Sequence, residues 1–354
     1  MPTPVFSSSL PHDNQRSAVK RLISISAFLQ DRLVVLLPLA MIAGFGAGIL
    51  GDATSFKFAV LPLTFMLVLP MMVGMDIRKL FGTFDIRLHA ATLVLNFLVV
   101  PFLAYGLGLL AFPDSPWLRL GLLLAGLLPT SGMTVSWTGM SRGNVPEAIR
   151  MTIIGLIGGA VSVPIYVHVL LGEAIALPAS VVATQIAVIV ALPLLLGFAL
   201  RSLLVRSMGE TRFGSEVKPL LPGISTLGVL ALVAVAIALK ARGILASPEM
   251  LWSSFWPTFT LYALNFVLSS VLGRRFFKLP EAKALVFGSV LRNLSIALAL
   301  LMGIAGPKGG EAALIVTWGF VIQVQGAAWY VRFAEKILDR KPSLVSRRLG
   351  GKRD

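Results

Sequence analysis

Apolar residues dominate the chain in long runs that short polar or Pro/Gly-rich segments separate. Ten runs stand out, at residues 33–50, 58–75, 88–111, 118–139, 149–171, 178–200, 219–239, 251–272, 284–305 and 312–331. An α-helix of about 20 apolar residues crosses the hydrocarbon core of a bilayer. The pattern therefore predicts an all-α polytopic membrane protein with ten transmembrane helices.

The ninth run carries a charge near its middle, because Arg292 and Asn293 interrupt the apolar stretch from Ala284 to Ala305. An arginine at the bilayer centre costs about 2.5 to 3.5 kcal/mol on insertion scales, so its side chain must face protein or water. Gly288 before it and Ser295 after it favour a helix that is broken here and lines a polar site. The alternative is an unbroken helix whose arginine snorkels or forms a structural pair.

The fourth run is interrupted in a similar way by Gly-Leu-Leu-Pro-Thr-Ser-Gly at residues 126–132. Pro129 removes a backbone donor and Gly132 loosens the helix, so both favour a break near mid-membrane. Hydroxyl side chains cluster beside this break: Thr130, Ser131, Thr134 and Ser136. They either form part of a binding site or hydrogen-bond back to their own helix.

A short repeat connects the two interrupted runs. Leu95-Asn96-Phe97 and Leu264-Asn265-Phe266 each lie in the run just before an interrupted one. We therefore divide the chain into a basic tail (1–32), a first five-helix repeat (33–171), a second repeat (172–334) and a second basic tail (335–354). Five is an odd number, so the repeats are inverted, and paired broken helices in inverted repeats mark the binding site of many secondary transporters.

Composition agrees with a membrane protein, since 56% of residues are apolar, 13% are charged and the mean hydropathy is +0.86. The net charge of +15 suggests a nucleic-acid partner at first sight. However, most Lys and Arg residues fall in segments that are cytoplasmic if the N-terminus is, which is the positive-inside pattern. We predict a protein of the cell (inner) membrane with both termini in the cytoplasm, membrane lipids as partners and no nucleic-acid partner. A homo-oligomer is compatible with the sequence.

The chain offers little for catalysis or cofactor binding. It contains no cysteine, so thiolate metal sites are excluded, and we predict no metal and no cofactor. Proton coupling usually needs a titratable group within the membrane, for which His89 and His168 are the candidates. Neither a histidine nor a carboxylate lies at the depth of the clustered hydroxyls, so the sequence does not favour an enzyme.

Three stretches resemble the bile acid:sodium symporter superfamily, which also contains the arsenite efflux permeases. They are Leu128 to Ser131 continuing to Arg142-Gly143-Asn144, the hexapeptide Arg292 to Ala297, and Asn96 with Pro101. The resemblance implies a panel domain, a core domain with crossing broken helices 4 and 9, and transport by alternating access.

Departures from the family pattern are informative. The positions of the symporters' sodium ligands are taken here by Thr134 and Val135 on helix 4, Ala148 and Thr152 on helix 5, and Gly288 and Arg292 on helix 9. Only Thr134 and Thr152 can supply oxygen. Compared with the arsenite permeases, Thr130 stands where they place a cysteine and Ser295 where they place a glutamate, so the soft thiolate ligand that suits arsenic is missing.

The leading hypothesis is a secondary transporter that moves a small or amphipathic anion by alternating access. Arg292 is the predicted counter-cation, and the predicted hydrogen-bonding partners of the substrate are Asn96, Thr130, Ser131, Thr134, Ser136, Asn293 and Ser295. Two alternatives stay open: an arsenite or antimonite efflux permease without the family cysteine, and an anion channel that uses the same arginine.

Sodium dependence should be weak or absent. A sodium ion at the family's positions would have two hydroxyl ligands and would face the like charge of Arg292. Uptake into liposomes should therefore continue when choline replaces sodium. Uptake that stops on this replacement would contradict the prediction.

Overall fold

The computed structural model describes residues 10–75, 85–175, 180, 184, 187–246, 248–305 and 309–338. The start of the predicted sixth run, residues 1–9 of the first tail and most of the second tail lie outside the described residues.

The described part of the chain is helical, with one isolated β-bridge and no strand. The helices are α1 Leu10–Asp31, α2 Leu33–Leu50, α3 Val60–Val73, α4 Ile86–Val94, α5 Val100–Ala111, α6 Pro116–Leu127, α7 Gly132–Met140, α8 Val145–Ile175, α9 Leu192–Met208, α10 Leu221–Ala246, α11 Glu249–Phe276, α12 Leu279–Val290, α13 Leu294–Ala305 and α14 Gly309–Leu338. A π-helical turn, Leu95–Val99, joins α4 to α5, and another, Ala187–Ala191, precedes α9. Helices satisfy their own backbone hydrogen bonds, which a bilayer interior requires.

Six segments of the described chain are long and apolar enough to cross a membrane unbroken. They are Ile86–Ala111, Val145–Gly172, Ala187–Met208, Leu221–Leu239, Glu249–Phe276 and Ala312–Leu338. α3, α6 and α13 are apolar but shorter, and Ser17–Asp31 meets Val35–Leu50 at 81°. The prediction of an all-helical protein that spans the membrane several times is confirmed.

Glycines bring the helices of a first bundle, α1, α2, α3, α9 and α10, into close contact. A Cβ added at Gly44 would lie 2.2 Å from the carbonyl oxygen of Ala234, and one at Gly228 would lie 2.8 Å from Cα of Leu67. Small residues at such positions let backbones approach within a membrane, where no hydrophobic effect drives helices together.

A second bundle, α4 to α8 with α11 to α14, is packed in the same way. A Cβ at Gly126 would lie 2.7 Å from Cβ of Ala104, and one at Gly121 would lie 2.9 Å from the carbonyl oxygen of Ala312. Among the described glycines, none has its close contact in the other bundle. The close glycine contacts of the described residues thus divide the helices into two bundles, which share one apolar core across their boundary.

Replacing Gly44 by alanine should destabilise the protein by about 1 to 3 kcal/mol, because the added methyl group overlaps the backbone of α10. Gly46 lies on the same helix with nothing within 4 Å of an added Cβ. Gly46→Ala is therefore a matched control, which should be neutral or slightly stabilising because alanine favours helix. Thermal unfolding of both variants in detergent measures this, and equal melting temperatures would contradict it.

Candidate functional site

Two helix breaks lie side by side in the second bundle. The first separates Leu127 from Gly132 and contains Pro129, and the second separates Val290 from Leu294. Pro129 and Arg292 form an antiparallel β-bridge, and the backbone N–H of Asn293 donates to the carbonyl of Leu128 at 2.8 Å. Each break therefore supplies partners for backbone groups that the other leaves open.

Thr130 lies in the first break. Its backbone is left-handed with φ of 58°, and its Oγ1 lies 2.8 Å from the carbonyl oxygen of Pro129 and 3.3 Å from that of Thr152. A Cβ at Gly155 would lie 2.5 Å from this Oγ1. Thr130 thus packs against α8. Nearby, Thr134 Oγ1 accepts from the backbone N–H of Ser131 at 3.2 Å, which caps α7.

Two asparagines hold the last turn of α12. Asn96 donates through Nδ2 to the carbonyl of Gly288 at 2.9 Å, and Asn265 donates to that of Ser289 at 3.0 Å. Asn265 Oδ1 also accepts from Ser289 Oγ at 2.9 Å. The asparagines of the Leu-Asn-Phe repeat therefore meet at one helix end, where carbonyl groups lack helical partners.

Gly288 does not form the break itself, contrary to its predicted role. It lies inside α12, which continues to Val290, and the break follows at residues 291–293. A Cβ at Gly288 would lie 2.6 Å from the sulfur of Met151. The glycine packs closely against a side chain of α8, and the helix ends where Asn96 and Asn265 donate to its carbonyl groups.

Arg292 is buried beside the second break, with an exposed fraction of 1%. Its backbone N–H donates to Gln323 Oε1 at 2.9 Å, and Tyr262 donates to the same oxygen at 3.4 Å. Its three guanidinium nitrogens have no hydrogen-bond partner among the described residues. The sequence correctly placed this charge inside protein, but its side chain does not line the cavity described next.

A cavity of about 370 Å³ lies between the two bundles, and residues of both line it. Its lining is Gln30, Leu33, Leu67, Pro70, Met71, Gly74, Met75, Ser131, Met133, Val135, Ser136, Ile149, Thr152, Lys218, Leu221, Pro222, Ser225, Thr226, Val229, Ser295 and Phe320. Ser131 and Ser295 belong to the starts of α7 and α13, so the inner end of the cavity reaches both breaks. Gln30, near the end of α1, and Lys218, just before α10, are both exposed, so they lie at an open end of the cavity.

The predicted site residues therefore separate into two sets. The cavity lining includes Ser131, Ser136, Thr152 and Ser295. It does not include Asn96, Thr130, Thr134, Arg292 or Asn293. Asn293 caps α13, since its Oδ1 accepts from the backbone N–H of Ile296 at 3.3 Å. Its Nδ2 also reaches Sδ of Met71 at 3.8 Å, which is a contact between the two bundles.

The positions carried over from the sodium sites are occupied by other contacts. Thr152 Oγ1 donates to the carbonyl of Ala148 at 2.8 Å, and Thr134 Oγ1 caps α7. The described residues contain no group of three or more histidine or carboxylate side chains that could hold a metal ion.

Sequence reasoning missed the contribution of α10 to the cavity. Lys218 lies in a basic segment that indicated only the orientation of the chain, and Ser225 and Thr226 lie in an apolar run that no break interrupts. It also missed a buried cluster in which His89 Nε2 and Arg150 NH1 each lie 2.6 Å from a carboxylate oxygen of Glu147. The motif Asn144-Val-Pro-Glu147 gave no signal that this carboxylate is buried.

Comparison with known proteins identifies the family. The family model of the sodium bile acid symporter family matches residues 61–247. The chain belongs to this family. The predicted resemblance is thereby confirmed, and the apolar helices together with this family make the chain an integral membrane protein.

Two curated proteins are similar to the chain. The arsenical-resistance protein Acr3 of Corynebacterium glutamicum is 24% identical over 246 residues, which cover 64% of this chain and 65% of that protein. The uncharacterized protein YbaS of Bacillus subtilis is 25% identical over 197 residues, which cover 55% of this chain and 63% of that protein. The match thus spans just under two thirds of each relative's length.

Replacing Asn265 by leucine should destabilise the protein by about 1 to 3 kcal/mol, because the buried carbonyl and hydroxyl of Ser289 lose their partner. Ser253→Ala is the matched control on α11, since Ser253 is exposed and bonds only to the carbonyl of Met250 in its own helix. Thermal unfolding of the two variants should separate them. A melting temperature for Asn265→Leu equal to that of the control would show that the helix end does not depend on this residue.

Proposed function

We propose that the protein is a secondary transporter that moves an amphipathic organic anion across the cell membrane by alternating access. The observation that carries this proposal is the cavity between the two bundles, which runs from Lys218 to the starts of α7 and α13. A cavity of this volume, with mostly apolar walls and a few polar groups, suits a small organic molecule.

The charges around the cavity favour an anion. Lys218 is the one formally charged side chain in its described lining, which contains no carboxylate. The starts of α7 and α13 add the partial positive charge of helix N-termini next to Ser131 and Ser295. The apolar walls, which include Leu67, Met71 and Phe320, suit a substrate with an apolar body.

We further propose ten spans in two inverted repeats, residues 33–171 and 172–334, with basic tails at 1–32 and 335–354. Ten spans result when three helix pairs each count as one span, α4–α5, α6–α7 and α12–α13. The other seven spans are α2, α3, α8, α9, α10, α11 and α14. The equivalent roles of Asn96 and Asn265 support the repeat. With both termini in the cytoplasm, the mouth at Lys218 faces the cytoplasm.

The same packing supports alternating access. Close glycine contacts hold each bundle together, and the boundary between them contains the cavity. We propose that the bundles move relative to one another as units, with the crossed breaks carried inside the second. In this proposal the breaks are maintained by Thr130, Thr134, Asn96 and Asn293. The substrate is contacted by the side chains that line the cavity, Ser131, Ser136, Thr152 and Ser295.

Arg292 stays the proposed counter-cation, acting across the break rather than by direct contact. Its charge is buried, and at an effective dielectric constant of about 20 a unit charge roughly 10 Å from an anion is worth about 1.7 kcal/mol. This contribution does not require the guanidinium to enter the cavity.

Efflux of arsenite or antimonite is the second candidate, because the relative from Corynebacterium glutamicum is an arsenical-resistance protein. Against it, the chain has no cysteine, and Thr130 faces α8 instead of the cavity. An anion channel would share the cavity and the arginine but would pass anions too fast for alternating access.

One set of measurements separates these functions. The purified protein should be stabilised by amphipathic organic anions such as taurocholate or 3-phenylpropionate, because a ligand of the folded state raises its melting temperature. Liposomes that contain the protein should take up the same anion with saturable kinetics. The protein in planar bilayers should show no measurable conductance. Stabilisation by arsenite or antimonite alone would favour the second candidate, and conductance would favour a channel.

Arg292→Gln should weaken binding of the anion about 5- to 30-fold, the equivalent of losing about 1 to 2 kcal/mol of through-space attraction. Arg292→Lys keeps the charge and should retain most of the affinity. Affinity and melting temperature are measured on the same purified variants. Lower stability with unchanged affinity in Arg292→Gln would show that the arginine has only a structural role.

A further inference from the structure

The first helix, α1, stands nearly at right angles to the helix that follows it. Its segment Ser17–Asp31 meets Val35–Leu50 of α2 at 81°. Helices that cross a membrane tilt on average by about 20° from the bilayer normal. A helix at a right angle to such a span runs close to the membrane plane, so the bend places α1 along the membrane surface.

One side of α1 packs on the protein where two helices of the first bundle begin. α1 leads directly into α2. Its Ser26 Oγ donates to the carbonyl of Pro219 at 2.7 Å and accepts from the backbone N–H of Gly223, in the first turn of α10, at 3.0 Å. These two hydrogen bonds fix which side of α1 faces the bundle and hold the helix at the level of the helix starts.

Another side of α1 is exposed and apolar, with an arginine at each end. Arg21, Ile25, Phe28 and Arg32 follow one another at intervals of four, three and four residues, which places them in one row on the helix. Ile25 and Phe28 have exposed fractions of 54% and 56%, and both arginines are exposed. Leu22, beside this row, is 52% exposed. Large apolar residues thus form a continuous surface that no described residue covers.

The neighbouring row of α1 is exposed but has no large apolar residue. It consists of Lys20, Ser24, Ala27 and Asp31, each one position before its counterpart in the apolar row. A helix with an apolar side, a polar side and basic residues at their edge is typical of one that lies in the interface between lipid and water. The two rows therefore indicate which side of α1 faces the acyl chains and which faces water.

The two arginines are suited to the phosphate groups of lipids. A guanidinium group binds phosphate through two parallel hydrogen bonds, and a long basic side chain can lie along apolar surface while its charge stays at the headgroups. The backbone N–H of Arg32 donates to the carbonyl of Phe28 at 3.0 Å, so the arginine continues the helix. Its guanidinium carbon lies 6.0 Å from the centre of the Phe28 ring. The charge thus lies next to the apolar row.

We propose that α1 is an interfacial helix that binds an anionic lipid leaflet, with Leu22, Ile25 and Phe28 in the outer part of the acyl region and Arg21 and Arg32 on the phosphate groups of acidic lipids. The attraction of the leaflet's negative charge for exposed basic side chains favours this partner over a second copy of the chain. The inference does not depend on the identity of the substrate.

The position of α1 can be measured with single cysteines, because the chain contains none. Ile25→Cys places a fluorescent label in the apolar row, Leu22→Cys is a second variant beside it, and Ser24→Cys is the matched control in the polar row. The labelled proteins are studied in lipid nanodiscs, where aqueous iodide reaches both membrane surfaces. Iodide and a nitroxide-labelled lipid are the two quenchers, and melting temperatures show that each variant is folded.

The label at residue 25 should be quenched by the nitroxide lipid and protected from iodide, at a depth of about 5 to 10 Å. The label at residue 24 should show the reverse. Equal quenching by iodide at residues 24 and 25 would mean that both rows face water and would overturn the proposal. Protection of residue 25 from both quenchers would mean that protein covers the apolar row, as in a dimer, and would also overturn it.

Headgroup binding is tested by placing the nitroxide on phosphatidylglycerol or on phosphatidylcholine. The label at residue 25 should be quenched preferentially by phosphatidylglycerol. Arg21→Gln and Arg32→Gln should each lower this preference about 5-fold, since a basic residue near an anionic surface contributes about 1 kcal/mol. Lys20→Gln, which removes the same charge from the polar row, is the matched control and should have a smaller effect.

Two results would contradict the role of the arginines. Equal quenching by the two lipids in the protein with both arginines would show that α1 does not select acidic headgroups. A loss of preference in Lys20→Gln as large as in the arginine variants would show diffuse attraction to the surface in place of binding by Arg21 and Arg32.

Discussion

A bilayer interior does not satisfy backbone N–H and C=O groups, and the arrangement of the second bundle follows from this constraint. Two broken helices expose such groups at the same depth, where each would cost several kcal/mol unpaired. The bridge between Pro129 and Arg292 pairs the breaks with one another, and Asn96, Asn265 and Gln323 supply further partners. Because these three side chains come from three separate parts of the bundle, the crossed breaks depend on its packing.

The second bundle contains two sites of buried charge, one with ion pairs and one without. Glu147 accepts from Arg150 and pairs with His89, so the charges of that cluster compensate one another locally. The guanidinium of Arg292 has no such partner among the described residues. An uncompensated buried charge costs stability, and the proposed attraction to an anion in the cavity would offset part of this cost. The contrast supports an electrostatic role for Arg292.

The parts of the fold that follow from local chemistry could be predicted from the sequence. Pro129 and Arg292 within apolar runs indicated both breaks, because proline and charge disturb a membrane helix wherever it packs. The direction in which a side chain points depends on neighbours distant in sequence. Thr130 and Ser131 are adjacent hydroxyl residues, yet one packs on α8 and the other lines the cavity. Gly288 was misassigned for the same reason, since its contact with Met151 belongs to tertiary packing.

The two ends of the cavity belong to different bundles, which gives the proposed substrate a mechanical role. Lys218 and Ser225 are attached to the first bundle, whereas Ser131 and Ser295 are attached to the second. A molecule that contacts both ends contributes binding energy that depends on the distance between the bundles, and a ligand shifts a conformational equilibrium only through such a difference in affinity. The cavity's position at the boundary therefore connects recognition of the substrate with motion of the bundles.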